Sequence, residues 1–328
     1  MLIEANPSEI RAILGAMQQV ITARNRLPVS EIDEKTLSGA YQYMFGQTGD
    51  LDIGALPGIT PNELASTLTD RELSINALRF MAVCAFVDGA LNKQRIDTVL
   101  DFAKALDIRE DYIAELTALA HDDLRWVMAD MSRRNIESLI NHPWTDDDAN
   151  AWLLPYRGRS ADPGLAARYE DLRDCPDGSL GKAFWHHFKD NGYPFPGEPD
   201  GLNEIFATPH DSTHILSGYN TTFQGEILVS TFTAGMHQRE PMAGHVLPVI
   251  LLWHLGLRFN EVARSGMGWL DLEKFWVAWK RGCDTKADLF QPEWDFWAAA
   301  NRPLASLRAE YAIEPLPPQF AAVDSNDR

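Results

Sequence analysis

The sequence predicts an all-α protein, on three observations. Apolar residues recur every three or four positions in residues 10–21, the period of a helix with one buried face. The same stripe runs through residues 73–106 on both sides of an Asp-Gly pair, as in a helical hairpin closed by a turn. Residues 217–222 contain the residue types that cap the end of one helix and the start of the next. We therefore expect two helical domains, the second of them a helical bundle.

The N-terminal domain is predicted to span residues 1–145. Helices are expected from residue 8 to residue 140, apart from a loop at residues 46–62 that is rich in glycine and proline. Residues 112–140 continue in helix, and their methionines fit a core better than a cofactor site. This domain is interpreted as a module for packing or for docking a partner.

A linker is predicted at residues 141–164. Three prolines and the acidic run at 146–148 interrupt any long helix there, which leaves room for one short helix near Trp152. The C-terminal domain then spans residues 160–328. Its first long helix is expected at residues 179–190.

The composition is that of a globular chain with a large negative charge. The 328 residues are 45% hydrophobic and 23% charged, enough for two domains with buried cores. The formal net charge of -18 argues against nucleic acid as a partner and against anionic lipid head groups bound through a basic patch. Any contact with a membrane is expected to be peripheral and apolar.

The chain is expected in the cytosol, with no membrane-spanning segment. Residues 1–7 lack the basic segment and apolar core of a signal peptide. The most apolar run, residues 246–257, is too short to cross a bilayer. Three cysteines without paired spacing, Cys84, Cys175 and Cys283, suggest a reducing compartment.

The segment from His210 to Glu226 is the strongest candidate for coordination chemistry. On a helix, His210, Asp211 and His214 project at about 0, 100 and 40 degrees and so share one side. An unbroken helix would carry Glu226 about 18 Å beyond His214, too far to share an ion. Gly218 as a C-cap, followed by Asn220, Thr221 or Thr222 as an N-cap, allows the chain to reverse. Glu226 is then predicted to face the histidines from an antiparallel helix.

The role of Asp211 has more than one interpretation. Thr208 is a plausible N-cap and Pro209 a natural first helical residue, so Asp211 falls where a capping box places its acidic residue. Alternatively, Asp211 is a fourth metal ligand or a base that handles a substrate proton. The competing interpretation of His210, His214 and Glu226 is that they are hydrogen-bonded core residues.

The donor types indicate a divalent metal without choosing one. Two imidazoles and one or two carboxylates, with no thiolate, suit zinc, and also iron or manganese in a two-histidine, one-carboxylate site. The related motif of zinc proteases has a glutamate where Asp211 stands, and aspartate is one methylene shorter. A protease is therefore disfavoured.

The motif His210-Asp211-x-x-His214, eleven residues, then Glu226 resembles the signature of the coenzyme Q biosynthesis protein 4 family. The segments 165–169, 176–181 and 294–318 are similar to the same family, so the resemblance covers roughly residues 160–320. It implies an all-helical fold and a metal bound by His210, Asp211, His214 and Glu226, beside an apolar tunnel for a polyprenyl chain.

The resemblance also implies a function in ubiquinone synthesis. The family is described both as the catalyst of oxidative decarboxylation on a prenylated aromatic ring and as a scaffold for the quinone-synthesising enzymes. Expected partners are a prenylated aromatic lipid or similar apolar ligand and those enzymes, at the inner membrane surface, and a homodimer is left open. One departure is that Phe206-Ala207-Thr208-Pro209 replaces the family's usual approach to the motif.

A weaker resemblance concerns the hairpin at residues 73–106, which is similar to the tellurite-resistance protein B-like helical domain. That domain has Asp-Gly at the turn and acidic residues after it, whereas Asn92 to Arg95 follow here. We therefore interpret Asp88 as a turn residue and predict no metal there.

Histidines and aromatic residues outside the motif are weighed in the same way. His186 and His187 project about 100 degrees apart, so one is expected to support the site through a hydrogen bond and the other to lie at the surface. His237, His245 and His254 are interpreted as core residues. Aromatic residues from 253 to 297 suit a tunnel wall or a core equally well.

Other catalytic patterns are missing from the sequence. It has no Gly-x-Ser-x-Gly elbow, no phosphate-binding loop and no Cys-x-x-Cys, so nucleotide-dependent chemistry is not expected. Three hypotheses remain: a metal-dependent enzyme of prenylquinone synthesis, a prenyl-lipid-binding scaffold, and a metal-dependent hydrolase or hydratase outside quinone metabolism.

Overall fold

A computed structural model confirms the all-α prediction. It describes residues 3–140, 145, 147–148, 161–258 and 266–323, and within them it has fifteen α-helices and no β-strand. None of the helices in these ranges is long and apolar enough to cross a membrane. The short helix expected near Trp152 falls outside the described residues.

The helices are named here in chain order. The first seven are α1 (Pro7–Ile21), α2 (Glu31–Gly39), α3 (Pro61–Thr67), α4 (Arg71–Cys84), α5 (Lys93–Ala105), α6 (Tyr112–Ala120) and α7 (Leu124–Leu139). The others are α8 (Pro163–Glu170), α9 (Leu180–Asn191), α10 (Glu204–Ser217), α11 (Phe223–Met236), α12 (Leu247–Trp253), α13 (Leu272–Asp284), α14 (Phe296–Ala299) and α15 (Leu304–Glu310). Short π- or 3-10-helical segments are Ala40–Met44, Ile53–Ala55, Asp171–Asp174, Pro241–Val246 and Pro318–Phe320.

The chain forms two compact units, each made of two segments. One unit combines Met1–Asn135 with Glu240–Lys280, and the other combines Ile136–Arg239 with Arg281–Arg328. This division differs from the predicted domains, which assigned residues 240–280 to the C-terminal one. The physical reason is that aromatic residues of this segment complete the core of the N-terminal helices.

The first unit is built on the predicted hairpin of α4 and α5. Asp88 is a turn residue, as predicted: its Oδ1 accepts a hydrogen bond from the amide of Ala90 at 3.2 Å. On α13, Trp276 is fully buried, packs edge-on against Phe80 and donates its indole N–H to the carbonyl of Thr36 at 3.0 Å. Around Trp276 the aromatic residues form a core, which is one of the two interpretations that the sequence left open.

In the second unit, α9, α10 and α11 pack in order around the candidate site. Ser179 caps α9 by accepting from the amide of Lys182, and α9 ends at Gly192 in the left-handed conformation. The helix α10 packs against both α9 and α11. His237, at the end of α11, is a satisfied core residue, because its ring contacts Asp288 and the carbonyl of Ser138 at 2.8 Å each.

Candidate metal centre

The helix that carries the two histidines begins earlier than predicted. It starts at Glu204, and the N-cap is Asn203, whose side chain accepts from the amide of Ile205. The prediction of Thr208 as N-cap and Pro209 as first helical residue is therefore wrong. The capping-box interpretation of Asp211 is wrong as well, because Asp211 lies in the middle of α10.

Local conditions allow Pro209 inside this helix. A proline there has no N–H for the carbonyl of Ile205, but Ile205 is 48% exposed, so water can satisfy that carbonyl. Thr208 instead pairs its hydroxyl with that of Tyr169 at 2.5 Å, in the core of the unit. Thr208, which follows the first turn of α10, is thus held by a tertiary contact and does not act as a cap.

The reversal between α10 and α11 confirms the prediction. Gly218 ends α10 with φ of 86 degrees, a left-handed conformation that favours glycine. Thr222 is the N-cap of α11 and accepts from the amide of Gly225 at 3.2 Å. Asn220 accepts from both the amide and the hydroxyl of Thr222, which orders the turn. Glu226 consequently lies in the first turn of α11.

The reversal brings Glu226 against both imidazoles, as predicted. The Nε2 atoms of His210 and His214 are 3.2 Å apart, and the two carboxylate oxygens of Glu226 lie 3.4 Å from one Nε2 each. Ligands of a tetrahedral zinc ion with bonds of about 2.0–2.1 Å are separated by about 3.3–3.4 Å. Each imidazole nitrogen therefore lies at ligand spacing from the other and, through a different oxygen in each case, from Glu226. The same distances suit hydrogen bonds within the cluster, so they are compatible with both interpretations that the sequence left open.

The surroundings of the imidazoles suit ligand histidines. His214 is almost fully buried, and its Nδ1–H donates to the carbonyl of Tyr219 at 3.0 Å, which leaves Nε2 directed at the cluster. The ring of His210 stacks on Phe206 with centroids 4.7 Å apart. The side chains of His210 and Glu226 remain 15% and 18% exposed, so the cluster is partly open to solvent on the side of these two residues.

Asp211 joins the cluster through His187 on the neighbouring helix. A carboxylate oxygen of Asp211 lies within 4.8 Å of ring nitrogens of both His210 and His214. Its Oδ1 contacts Nε2 of His187 at 2.9 Å. His186, one residue earlier, is exposed. The prediction that one member of the pair supports the site and the other lies at the surface is thus correct in its geometry.

Burial and charge oppose each other in the cluster. Burial lowers the pKa of His214, but the carboxylates of Glu226 and Asp211 outweigh it and raise the pKa to about 8. Burial raises the pKa of Glu226, but the two imidazoles outweigh it and hold the pKa well below its usual range. In the metal-free state at neutral pH, His214 is therefore a cation paired with a carboxylate.

The donor set fits a divalent ion of the zinc, iron or manganese type. It has two imidazole nitrogens, a carboxylate that reaches both, and a second carboxylate oriented by a histidine. An open side is what a catalytic centre requires, whereas a structural zinc site is closed by four ligands.

A cavity in this unit borders α10 but not the cluster. Its volume is about 500 Å³, and its lining includes Thr208 and Pro209 but none of His210, Asp211, His214 and Glu226. The apolar tunnel expected beside the metal is therefore still a prediction.

Two arginines that the sequence analysis missed hold the end of α10. Arg308 donates to the carbonyls of Leu216 and Ile215 at 3.0 and 2.7 Å, and Arg281 donates to that of Ser217 at 2.8 Å. These contacts satisfy helix C-terminal carbonyls and place positive charge at the negative end of the helix dipole. They secure the reversal that positions Glu226.

Comparison with known proteins yields no assignment. No protein-family model, no curated protein and no solved structure matches this chain.

Proposed function

We propose that this chain is a metal-dependent enzyme that processes a prenylated aromatic head group in ubiquinone-type synthesis, by decarboxylation or hydroxylation. The observation that supports a bound metal ion is the spacing of 3.2–3.4 Å between the donor atoms of His210, His214 and Glu226. The substrate class rests on the resemblance of the motif and its flanking segments to the coenzyme Q biosynthesis protein 4 family.

The chemistry follows from what each side chain can do. His210, His214 and Glu226 would hold the ion, which when bound supplies a Lewis acid that polarises a carboxylate or phenolate. Asp211 would accept or return a substrate proton. Its carboxylate lies within 4.8 Å of the ring nitrogens of His210 and His214, and it is not one of the three side chains whose donor atoms are 3.2–3.4 Å apart. His187 keeps that carboxylate oriented through the contact at 2.9 Å.

The open side of the cluster favours an enzyme over a scaffold with a structural metal. A second candidate, a metal-dependent hydrolase or hydratase outside quinone metabolism, is favoured by one observation. Phe206, in the segment that departs from the family's pattern, stacks on His210 at the approach to the site. Such an enzyme would act on a smaller and more polar substrate.

The lipid bound to the purified wild-type protein separates these candidates. We expect solvent extraction and mass spectrometry to recover a prenylated aromatic compound, and the metal-loaded protein to consume a prenylated aromatic acid. Asp211→Asn should abolish that consumption even at zinc concentrations high enough to keep the site filled. Recovery of zinc without lipid, together with no consumption, would favour the second candidate, and a protein that takes up no metal would refute both.

His187 provides a test of how Asp211 is held. His187→Ala is expected to lower zinc affinity by about tenfold to a hundredfold, the usual cost of losing an outer hydrogen bond at a metal site. His186→Ala is the matched control, because the adjacent ring is exposed and should leave affinity unchanged. Competition titration against a chelator measures both. Equal affinities in the two variants would mean that His187 does not support the site.

The pH dependence of zinc binding has a defined sign. Zinc must displace the proton that His214 carries below its pKa of about 8, so apparent affinity should rise about tenfold per pH unit from pH 6 to 8 and then level off. Glu226→Gln removes the main group that raises this pKa, so the imidazole of His214 in the metal-free variant, followed by NMR, should titrate at lower pH than in the metal-free wild type. A flat profile between pH 6 and 8 in the wild type would contradict the assignment.

Stability of the metal-free protein should change in the opposite direction. The pKa of His214 is higher in the folded state than its ordinary value of 6.5. Its ion pair therefore stabilises the metal-free fold fully below pH 6.5, and that contribution is lost as the pH rises through about 8.

A further inference from the structure

A cavity in the second unit, separate from the candidate metal centre, has the chemistry of a small-molecule site. Its volume is about 500 Å³, within the range of pockets that hold a small ligand. It lies between the start of α10 and the segment 289–297. Because none of the four predicted metal ligands lines it, an inference about this cavity stands independently of the proposed function.

Aromatic side chains form much of the cavity lining. They include Tyr169, Phe290, Trp294 and Trp297. The rings of Tyr169 and Trp297 are packed together, with centroids 4.8 Å apart, so this part of the wall is rigid. Tyr169 is fully buried, with its hydroxyl engaged by that of Thr208 and its ring packed against other rings, so it fixes the wall rather than contacting a ligand.

One of these indoles already binds a cation. The guanidinium of Arg168, which does not line the cavity, lies 3.6 Å from the ring centroid of Trp297. Aromatic rings attract cations through the negative charge of their faces, and tryptophan is the best of them. A wall made of such rings favours a positively charged ligand over an anion.

The charges in the lining have one sign. Glu204 and Asp295, both solvent-exposed, contribute carboxylates at its rim, and no lysine, arginine or histidine is among the lining residues that the structure describes. One oxygen of Asp295 accepts from the amide of Ala298 at the start of α14, which fixes the position of the carboxylate. The cavity thus combines two negative charges with several aromatic faces.

We propose that this cavity binds an organic cation, a quaternary ammonium or protonated amine. An inorganic cation needs converging oxygen ligands, whereas five of the fourteen lining side chains are aromatic and only two are carboxylates. A phosphate or carboxylate ligand would be repelled by Glu204 and Asp295. A cation with an apolar shell satisfies both the aromatic faces and the carboxylates.

Choline and its neutral isostere 3,3-dimethylbutan-1-ol test this assignment on the full-length protein by ligand-observed NMR titration. They have nearly the same shape, so any difference in affinity reports the charge. Choline is expected to bind in the millimolar range, and the isostere at least about tenfold more weakly. The double variant Glu204→Gln, Asp295→Asn should weaken choline binding about tenfold and leave the isostere unchanged.

The design includes its own controls. Asn can replace Asp295 as the N-cap of α14, so the double variant should keep its fold, which circular dichroism checks. Glu293→Gln removes a nearby exposed charge that does not line the cavity and should change affinity less than about twofold. Failure of choline to bind, equal binding of the isostere, or an unaffected double variant would each overturn the proposal.

Discussion

Replacing His214 with alanine is expected to reduce the zinc content of the purified protein from about one ion per chain to almost none. His214 is the least exposed member of the cluster, and its Nε2 is the atom that His210 and Glu226 both approach. Losing an outer hydrogen bond at a metal site costs about tenfold to a hundredfold in affinity, so losing a ligand should cost more. Elemental analysis and chelator competition measure the change.

Two further variants make this result specific to the cluster. Glu226→Gln keeps the size of the side chain and removes its charge, so it should also lose zinc while leaving the helices intact. His186→Ala removes an exposed imidazole on α9 and should keep the wild-type content. Retention of zinc by His214→Ala, with a correct fold by circular dichroism, would show that the ion is held elsewhere or not at all.

The geometry of the candidate site was predictable because its main determinants are local. A glycine C-cap and a threonine N-cap four residues apart at Gly218 and Thr222 require a reversal, and the reversal brings Glu226 back to the histidines. The helical period also places His210 and His214 on one side of α10. None of these steps needs knowledge of a distant residue.

The start of α10 was mispredicted because its determinants are not local. Proline is favoured as a first helical residue, but Pro209 lies inside the helix, where the carbonyl that it leaves without an N–H belongs to the exposed Ile205. Thr208 is used by Tyr169, which lies 39 residues away in the sequence. A tertiary hydrogen bond of this kind replaces the capping role that the sequence pattern indicated.

Packing partners were the other unpredictable part. The helical period predicts that one of His186 and His187 supports the site, but only the packing of α9 on α10 decides that it is His187. The same holds for Arg281 and Arg308, which reach the end of α10 from 64 and 92 residues away. Residues 240–280 group with the N-terminal helices for the same reason, since the periodicity of a helix does not identify the surface it covers.

Gly225→Ala is expected to lose zinc binding and to destabilise the protein by about 2–3 kcal/mol. A Cβ at this position would lie 2.0 Å from the backbone oxygen of Asn220 and 2.3 Å from its side-chain oxygen, closer than any van der Waals contact allows. Either the turn at Asn220 opens or the first turn of α11 shifts, and both movements displace Glu226, the next residue.

The matched control is Gly58→Ala, because a Cβ there meets nothing closer than a side-chain nitrogen at 4.0 Å. It should leave both stability and zinc content near those of the wild type. Urea unfolding of the metal-free proteins separates the two effects, since the cost of crowding at Gly225 persists without metal whereas the loss of zinc does not contribute. If Gly225→Ala unfolds at the same urea concentration as the wild type and still binds zinc, the close approach of the turn to α11 does not position Glu226. The spacing of the donor atoms must then be maintained by the helices alone.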